Sequence, residues 1–429
     1  MQNKRILKNI FSISGLQLAN YCLPLVTVPY IVRIVGPEKY GTINFAQAFI
    51  GYFTLIINYG FDLTATRQIS EKRGDISELS KIFWNVIWAK VFLFIFSTVV
   101  FLFALFYSTK FQSDLRLYLL TYLINIGIIL FPTWFYQGIE ELSKTAIFNF
   151  VIKIIFTVLI FLTIRQESDY YFYPISLSAG QIVIGFIALV YALKIRGLPF
   201  IHSKLQDVAR ALREGFIVFV STVVINFYTL SNIVILGFLA TDLDVGLFSS
   251  AYKFISIIIA ITIVPITYTL YPYLGNIFSA GYTDDEKSFK LTQIAMIVGT
   301  FSLTVSFGTL LLAPTAITIL FGDKFIQAIS TLRMLSFLPF IIGMSNVFAI
   351  QGMLNLKLDK QFFMITSIGA IVCIVLNFIL IPMFHQQGTA LAWVITEIFI
   401  TVATYGSLRK SGYMIFSRNN IKKVIAIYV

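Results

Sequence analysis

Long apolar runs, separated by short segments that hold most of the charged residues, make up the greater part of this chain. The runs do not alternate with the period of two that transmembrane strands show, and open sheet edges cannot satisfy their backbone groups in lipid. A membrane helix needs about 20 mostly apolar residues. Runs of this kind fall at residues 9–32, 40–61, 91–109, 117–139, 145–164, 170–193, 215–241, 254–283, 291–322, 334–356 and 361–408.

The final run, residues 361–408, is too long for a single crossing. It is interrupted by Pro382 and by the polar sequence "HQQG" at residues 385–388, so we expect two helices there. The pattern therefore predicts an all-α integral membrane protein with about 12 transmembrane helices.

The longest polar stretch between runs, residues 194–214, divides the predicted helices into six and six. It contains Gly197 and Pro199, followed by a basic amphipathic piece. Such a piece is typical of a helix that lies against anionic headgroups, and binding to a partner is the alternative. We therefore expect an N-terminal six-helix bundle at residues 1–196, a cytoplasmic linker at 197–214 and a C-terminal six-helix bundle at 215–429.

The charge content indicates both the surroundings of the chain and its orientation in the membrane. Only 12% of the residues are charged and 58% are hydrophobic, whereas soluble proteins carry roughly 25% charged residues, so most of the surface must lie in lipid. With the N-terminus in the cytoplasm, 22 of the 32 Lys and Arg residues lie in inside segments and 6 lie outside. Basic residues concentrate in cytoplasmic loops, so we expect both termini in the cytoplasm. The net charge of +12 then needs no nucleic-acid partner.

Residues that commonly carry enzyme chemistry are scarce. Cys22 and Cys373 are isolated in apolar surroundings, which favours buried thiols, although a disulfide between them stays open. His202 and His385 are far apart, and neither a zinc-ligand spacing nor a nucleotide-binding GxxxxGK[ST] loop occurs. The apolar run at residues 9–32 is too long for a cleavable signal peptide and is predicted to be the first anchor. We expect neither an enzyme, nor a metal site, nor a cofactor.

The two halves repeat a pattern. Aligning Gly41 with Gly246 places identical residues at positions 46 and 251, 49 and 254, and 50 and 255. A second similarity links "YQGIEELSK" at residues 136–144 with "IQGMLNLKL" at residues 350–358. Because each half has six predicted helices, both halves start on the same side of the membrane. This predicts a parallel repeat related by a pseudo-two-fold axis along the membrane normal, a design in which one half rocks against the other.

Three stretches carry a family resemblance. "LPLVTVPYIVRIVGPEKYGTINFAQAFIGYF" at residues 23–53, followed by "NYGFDLTATRQIS" at 58–70, resembles the N-terminal signature of the polysaccharide transporter family, the Wzx-type flippases. "FYQGIEELSKTAIFNFVIK" at residues 135–153 is similar as well. The resemblance covers most of the chain and is strongest over residues 20–160. The family belongs to the multidrug/oligosaccharidyl-lipid/polysaccharide exporter superfamily.

The resemblance implies a V-shaped pair of bundles with a cavity that opens alternately to each side of the bacterial inner membrane. It implies a cargo of undecaprenyl-diphosphate-linked O-antigen or polysaccharide repeat units, moved from the cytoplasmic to the periplasmic leaflet. It also implies H⁺ or Na⁺ antiport as the driving process, surrounding membrane lipids, and an O-antigen polymerase and a chain-length regulator as partners.

Basic residues in or beside the predicted helices are candidates for binding the phosphates, because an unpaired anion in a low-dielectric cavity is costly. They are Lys253, Lys90, Lys153, Arg333 and Arg33. A basic side chain near a helix end can instead reach the headgroups. Both interpretations stay open for Lys90 and Lys153, a cavity position is favoured for Lys253, and headgroup contact is favoured for Arg333. Arg33 ends the first run, where a gate or a headgroup contact is expected.

Two carboxylates are candidates for ion coupling. Glu397 lies about midway along the last predicted helix, where a carboxyl group without a partner changes state when a cation binds. A structural pairing with a lysine is the alternative. Asp62 lies near the end of the second helix, and an ion pair with Arg67 or a neighbouring basic residue competes with a coupling role.

Polar uncharged residues recur in the first two predicted helices. Gln17 and Asn20 share one helix face, as do Asn44 and Gln47, and Asn58 follows in the same run. In lipid these amides must face protein or water. Interhelical hydrogen bonding is their default use, and lining a polar passage for the sugar is the functional alternative.

Three functions compete on the sequence alone. The first is a flippase for lipid-linked oligosaccharides. The second is a multidrug or organic-cation exporter of the same architecture, although its cavity should favour carboxylates over the cations found here. The third is a membrane enzyme, which would normally have a large polar loop with clustered acids or histidines.

Overall fold

The computed structural model describes the backbone of residues 2–195 and 197–428. It describes the side chains of these residues except 2–25, 142, 195, 221, 224–229 and 427–428. Within these limits the secondary structure is entirely helical, with no strand.

Sixteen α-helices follow one another along the chain. They are α1 Gln2–Asn58, α2 Phe61–Glu71, α3 Ile76–Tyr107, α4 Thr109–Gln112, α5 Leu115–Tyr122, α6 Ile124–Leu130, α7 Thr133–Gly138, α8 Leu142–Thr163, α9 Phe172–Ile195, α10 Leu205–Leu239, α11 Asp242–Ser279, α12 Asp284–Phe321, α13 Ala328–Leu335, α14 Leu338–Asn346, α15 Asp359–Lys410 and α16 Arg418–Tyr428. Short 3₁₀ helices lie at Glu167–Tyr171 and Asp323–Phe325, and a π-helical segment lies at Val347–Leu354.

The two longest helices, α1 and α15, are each broken once. The backbone of α1 leaves the helical conformation at Gly36, with φ 75°, which glycine adopts without steric cost. The backbone of α15 does so at His385, with φ 51°. Both breaks lie where polar sequences interrupt the apolar runs, so each of these helices supplies two membrane crossings, as predicted.

The number of crossings agrees with the sequence pattern. Nine segments of the described chain are long and apolar enough to cross a membrane, among them Val26–Glu71 and Asp359–Lys410, which contain the two breaks. The described apolar end of α10, Leu230–Leu239, is shorter than these segments and lies within the predicted seventh crossing at residues 215–241. Large apolar side chains such as Phe103, Phe106 and Leu311 are exposed along these segments, where only lipid would cover them. The chain is a multi-pass membrane protein.

The chain divides into two compact units, Met1–Leu230 and Ser231–Val429, called unit 1 and unit 2 below. The division falls inside α10. The part of the predicted linker at residues 205–214 is helical and continuous with the seventh crossing.

Unit 1 is packed largely by aromatic side chains. α6 packs along α9, and α1 packs along α8. Phe83 and Trp134 are fully buried, with ring centroids 5.4 Å apart. The first half of α10 belongs to this unit, and its Phe219 ring stacks on Tyr59 at 4.4 Å.

Unit 2 has a more aliphatic core. Leu274, Leu291, Met353 and Leu408 are fully buried there, contributed by α11, α12, the π-helical segment and α15. The C-terminal helix α16 packs against α12. Cys373 is a buried free thiol in α15, whereas Cys22 lies outside the described side chains.

Candidate functional site

A charged cluster lies in unit 1 at a break in the second crossing. α1 ends at Asn58, and the next two residues, Tyr59 and Gly60, have φ 48° and 73° before α2 begins. Lys90 of α3 is fully buried and its Nζ donates to Asn58 Oδ1 at 3.1 Å. The Asp62 carboxylate, in the first turn of α2, is close enough to act on Lys90 electrostatically. The bend therefore places an amide and a carboxylate around one buried ammonium group.

Asp62 has a second partner and faces a cavity. Its Oδ1 accepts a hydrogen bond from Thr133 Oγ1 at 2.9 Å. A cavity of about 260 Å³ is lined by Asn58, Asp62, Thr133, Asn149 and Gln181, together with Ile128 and Phe131. We call Asn58, Asp62, Lys90 and Thr133 the Lys90 cluster. The cluster offers both charges, one amide and one hydroxyl to a polar ligand or a proton, and the cavity adds the amides of Asn149 and Gln181.

The expected pairing of Asp62 with Arg67 does not occur. Arg67 is exposed and takes part in none of the ion pairs between described residues. The reason is geometric, because residues three or four positions apart share a helix face and these two are five apart.

A second cavity, of about 200 Å³, lies further along α1 in unit 1. Gln47, Gly51 and Thr54 line it from one helix face, and Asn58 continues that face into the larger cavity. Thr54 Oγ1 donates to Asn125 Oδ1 at 2.7 Å.

The predicted amides of the first two crossings differ in their surroundings. Asn44 Nδ2 donates to the Tyr40 carbonyl of its own helix at 2.7 Å, whereas Gln47 lines the 200 Å³ cavity. Gln17 and Asn20 lie outside the described side chains.

The other predicted cations are distributed over both units. In unit 1, Lys153 is half-buried on α8, one turn from the cavity-lining Asn149, whereas Arg33 is exposed. In unit 2, Arg333 of α13 is exposed. Lys253 of α11 is half-buried and has no hydrogen-bond or ion-pair partner among the residues whose side chains are described.

Glu397 anchors a polar cluster inside unit 2. It is buried in α15 and accepts a hydrogen bond from Trp393 Nε1 at 3.2 Å. Nearby, Asn377 Nδ2 donates to Asn232 Oδ1 at 2.7 Å. The Cys373 thiol is close enough to Glu397 to interact electrostatically with its carboxyl group. We call these five residues the Glu397 cluster.

Two features of the Glu397 cluster bear on ligand binding. Asn377 Oδ1 is fully buried and has no donor within the described part of the chain. The ring of Tyr252, the residue before Lys253, contacts Trp393 at 5.4 Å. The cluster thus contains oxygen atoms that could accept from a proton donor or bind a small cation, and it lies next to the lysine-bearing turn of α11.

Sequence reasoning missed most of the neutral partners. Thr133, Asn149, Gln181, Asn232 and Asn377 each lie within a run of mostly apolar residues. A polar residue in such a run must find a partner in lipid, and that signal could have identified these positions. It could not have shown which cluster each joins.

Unit 2 has a neutral polar contact at the position that corresponds to Asp62 in the repeat. Under the alignment of Gly41 with Gly246, Thr267 corresponds to Asp62. Asn346 Nδ2 donates to Thr267 Oγ1 at 2.6 Å, and Gln351 Nε2 donates to the Thr267 carbonyl at 3.3 Å.

Comparisons with known proteins bear on this geometry. Residues 6–278 match the family described as "Polysaccharide biosynthesis protein". The chain is 29% identical over 416 residues to an Escherichia coli K12 protein named "Putative O-antigen transporter", covering 96% of this chain and 97% of that protein. The fold is similar to the lipid II flippase MurJ in an inward closed conformation, with a TM-score of 0.73, 15% identity, and 97% and 92% of the two chains covered. It is equally similar to an inward-facing MATE multidrug transporter, with a TM-score of 0.73, 14% identity, and 92% and 94% covered.

Proposed function

Because the chain belongs to the polysaccharide biosynthesis protein family, we propose that it is a flippase for lipid-linked oligosaccharide repeat units. Its relatives are transporters by name, and the chain is a transporter and not an enzyme. The observation that carries the proposal is the similarity, along nearly the whole of both chains, to the protein named "Putative O-antigen transporter". The cargo would be undecaprenyl-diphosphate-linked O-antigen, moved by alternating access from the cytoplasmic to the periplasmic leaflet of the bacterial inner membrane.

The basic residues support an anionic cargo. Lys253 is half-buried without a partner among the described side chains, so its ammonium is available to a phosphate. Lys90 is already held by Asn58 and acts on Asp62, which suits a role in organising unit 1 more than direct capture. Lys153 lies beside the 260 Å³ cavity on α8. Arg33 and Arg333 are exposed and fit headgroup or gating contacts better than central binding.

We propose Glu397 and Asp62 as the groups that couple transport to an ion. Glu397 would bind H⁺ or Na⁺ together with the amides of its cluster, because a buried carboxylate gains from neutralisation. Asp62 would respond to a proton within the Lys90 cluster. Antiport then requires that the cation and the lipid-linked cargo favour different states of the protein.

A multidrug or organic-cation exporter is the alternative function. It is supported by the MATE structure, which matches with the same TM-score as the flippase structure. A positively charged cargo would need carboxylates that face the passage, whereas Glu397 and Asp62 both have partners inside their units.

The cellular setting follows from the same proposal. Both termini would face the cytoplasm, as the distribution of Lys and Arg indicates. An O-antigen polymerase and a chain-length regulator would act on the flipped product.

Transport by the purified protein tests the proposal. Vesicles containing the protein should move a fluorescent lipid-linked oligosaccharide between leaflets in response to an H⁺ or Na⁺ gradient. Lys253→Ala should slow this movement about 10- to 100-fold, since a hydrogen bond to a charged group contributes about 1.5–3 kcal/mol. Lys324→Ala, at an exposed lysine in a 3₁₀ turn, is the matched control and should behave like the unaltered protein.

A deletion strain supplies the cellular arm of this test. Loss of the gene should abolish surface polysaccharide and leave lipid-linked repeats on the cytoplasmic face. Unchanged surface polysaccharide together with altered drug tolerance would refute the flippase and favour the multidrug exporter.

A further inference from the structure

Unit 2 carries an apolar groove that neither cluster uses. It has a volume of about 420 Å³, within the range of about 300–1,000 Å³ typical of ligand sites. α14, the π-helical segment and the second half of α15 form its walls, with the rings of Phe340, Phe348, Tyr405 and Phe416 among the lining groups. Val402, on the rim, is 63% exposed and lies in a membrane crossing. The groove therefore opens toward lipid.

One end of the groove is closed by a strained residue. Phe416 has φ 62°, a conformation that side-chain-bearing residues adopt only when the surroundings impose it. Its backbone N–H donates to Thr292 Oγ1 at 3.2 Å. Its ring meets Phe348 at 6.2 Å with the planes at 90°, and the Tyr405 ring lies 6.3 Å away. The segment after α15 is thus folded back so that an aromatic ring ends the groove.

The same end of the groove is strongly basic. From residue 398 to the last residue the sequence contains no Asp or Glu and five basic residues, Arg409, Lys410, Arg418, Lys422 and Lys423. All five are exposed, and none joins an ion pair between described residues. Two of them end α15 and three lie on α16, so they flank Phe416 along the chain. The first turn of α12, against which α16 packs, carries Asp284, Asp285 and Glu286, but Asp284 is paired with Lys287. The basic side chains outnumber these acids, and such an excess of positive charge favours a multivalent anion.

We propose that this groove binds the polyprenyl chain of a polyprenyl diphosphate while the basic end holds the diphosphate. The inference rests on the proposed function and assigns to it a docking site for the carrier lipid. Charge complementarity selects the occupant, because a diphosphate carries more negative charge than the single phosphate of a common phospholipid and matches five unpaired cations better. The groove walls are apolar apart from Thr401 and the Tyr405 hydroxyl, which suits a hydrocarbon chain.

Photolabelling of the full-length protein tests the groove. The probe is a polyprenyl diphosphate with a photoreactive group in its hydrocarbon chain, added to nanodiscs of phosphatidylcholine, with the labelled peptides located by mass spectrometry. Label should fall on the segments at residues 340–348 and 398–416. Val402→Trp fills the rim and should reduce that labelling about tenfold, as expected if two methylene groups of the chain lose their burial. Val375→Trp, at an exposed valine of the same helix outside the groove, is the control.

A second variant tests the basic end. Replacing Arg418, Lys422 and Lys423 together by Gln alters only exposed side chains, so the fold should persist. It should weaken labelling by the diphosphate probe and leave labelling by a polyprenol probe, which lacks phosphate, unchanged. Unlabelled polyprenyl diphosphate should compete, whereas phosphatidylglycerol at the same concentration should not.

The outcomes separate this inference from the proposed function. Any one of four results would overturn the docking site. Two concern the groove: label located outside it, or an equal effect of Val402→Trp and Val375→Trp. Two concern the basic end: no effect of the triple Gln variant, or equal competition by phosphatidylglycerol. Continued flipping of the oligosaccharide in those cases would leave the proposed function standing. A protein that neither binds the probe nor flips the oligosaccharide would refute both.

Discussion

The Lys90 cluster offers a quantitative test, because its charged members lie on different helices and can be removed one at a time. Lys90→Met keeps a similar side-chain volume and removes the ammonium group. Asn58 Oδ1 then loses its donor, and Asp62 loses the cation that acts on it. We expect unit 1 to be destabilised at the break between α1 and α2.

The size of the effect follows from burial. A hydrogen bond to a charged group contributes about 1.5–3 kcal/mol, and removing one partner of a buried ion pair costs about 3–5 kcal/mol. Lys90 is fully buried, but Asp62 is half-buried and still accepts from Thr133, so solvent and that hydroxyl reduce the cost. We expect Lys90→Met to lower the free energy of unfolding by about 2–3 kcal/mol, within the range of these two contributions.

Adding Asp62→Asn to Lys90→Met removes the unpaired carboxylate, so the double variant should recover about 1–2 kcal/mol of the loss. Unfolding in mixed micelles, followed by tryptophan fluorescence, measures these differences, and the buried Trp134 next to Thr133 is a local reporter. Strictly additive effects, or a Lys90→Met variant as stable as the unaltered protein, would show that Lys90 and Asp62 do not interact and would refute this account of the cluster.

The remaining predictions concern packing and the second cluster. A Cβ atom at Gly138 would lie 2.6 Å from Ile69 Cβ, so Gly138→Ala should lower the free energy of unfolding by about 1–3 kcal/mol. A Cβ atom at Gly308 would have no neighbour within 4 Å. Gly308→Ala should therefore leave the free energy of unfolding unchanged, or raise it by up to about 1 kcal/mol, in the same assay. Glu397→Gln should abolish the dependence of transport on an ion gradient while the protein still binds its lipid-linked cargo, and retained dependence would exclude Glu397 as the coupling group. Asn377→Leu removes the unpaired amide oxygen and also the donor to Asn232 Oδ1, so it should lower the free energy of unfolding without a cation by about 1–3 kcal/mol. It should in addition abolish cation-dependent thermal stabilisation, and stabilisation by the cation equal to that of the unaltered protein would exclude Asn377 as a ligand.

The helix breaks could be predicted because they depend on local sequence. A Gly-Pro pair at residues 36–37 and the polar tetrapeptide at residues 385–388 interrupt runs that are otherwise apolar, and the backbone turns there. The break after Asn58 was not predicted, since Tyr59 adopts φ 48° in spite of its side chain. There the first half of α10 packs on the break, and the Tyr59 ring stacks on Phe219, so a distant segment of the chain fixes the local conformation.

The second repeated sequence was aligned imperfectly. Matching the Gln-Gly pairs places Glu140 opposite Leu354, but the corresponding turns occur at Glu140 and Lys357, with φ 62° and 60°. In both turns the following N–H bonds a carbonyl five residues back, Glu141 to Tyr136 and Leu358 to Met353, each at 2.8 Å. The π-helical segment Val347–Leu354 has a wider turn, which changes the spacing in a way that residue identities do not reveal.

Individual site residues could be nominated from the sequence, but their partners could not. A charged or amide residue inside an apolar run must be satisfied within the protein, and this rule selected Lys90, Asp62, Asn58 and Glu397. The contacts of Lys90 with Asn58 and of Glu397 with Trp393 depend on which helix faces meet. A single sequence carries no information on those pairings beyond the three- and four-residue spacing within one helix.

The two units link corresponding membrane crossings with side chains of different charge. This difference restricts which residues can couple an ion to transport. Both link their second and fourth crossings by polar side chains, through Asp62 and Thr133 in unit 1 and through Thr267 and Asn346 in unit 2. A hydroxyl and an amide do not change charge near neutral pH, so the unit 2 link cannot respond to a proton. Glu397 is the carboxylate of unit 2 that lies far from a helix end, and it stands in the twelfth crossing instead. If the carboxylates carry coupling, as we propose, the change of charge in unit 2 takes place at Glu397 in the twelfth crossing, whereas in unit 1 it takes place at Asp62, at the bend of the second crossing.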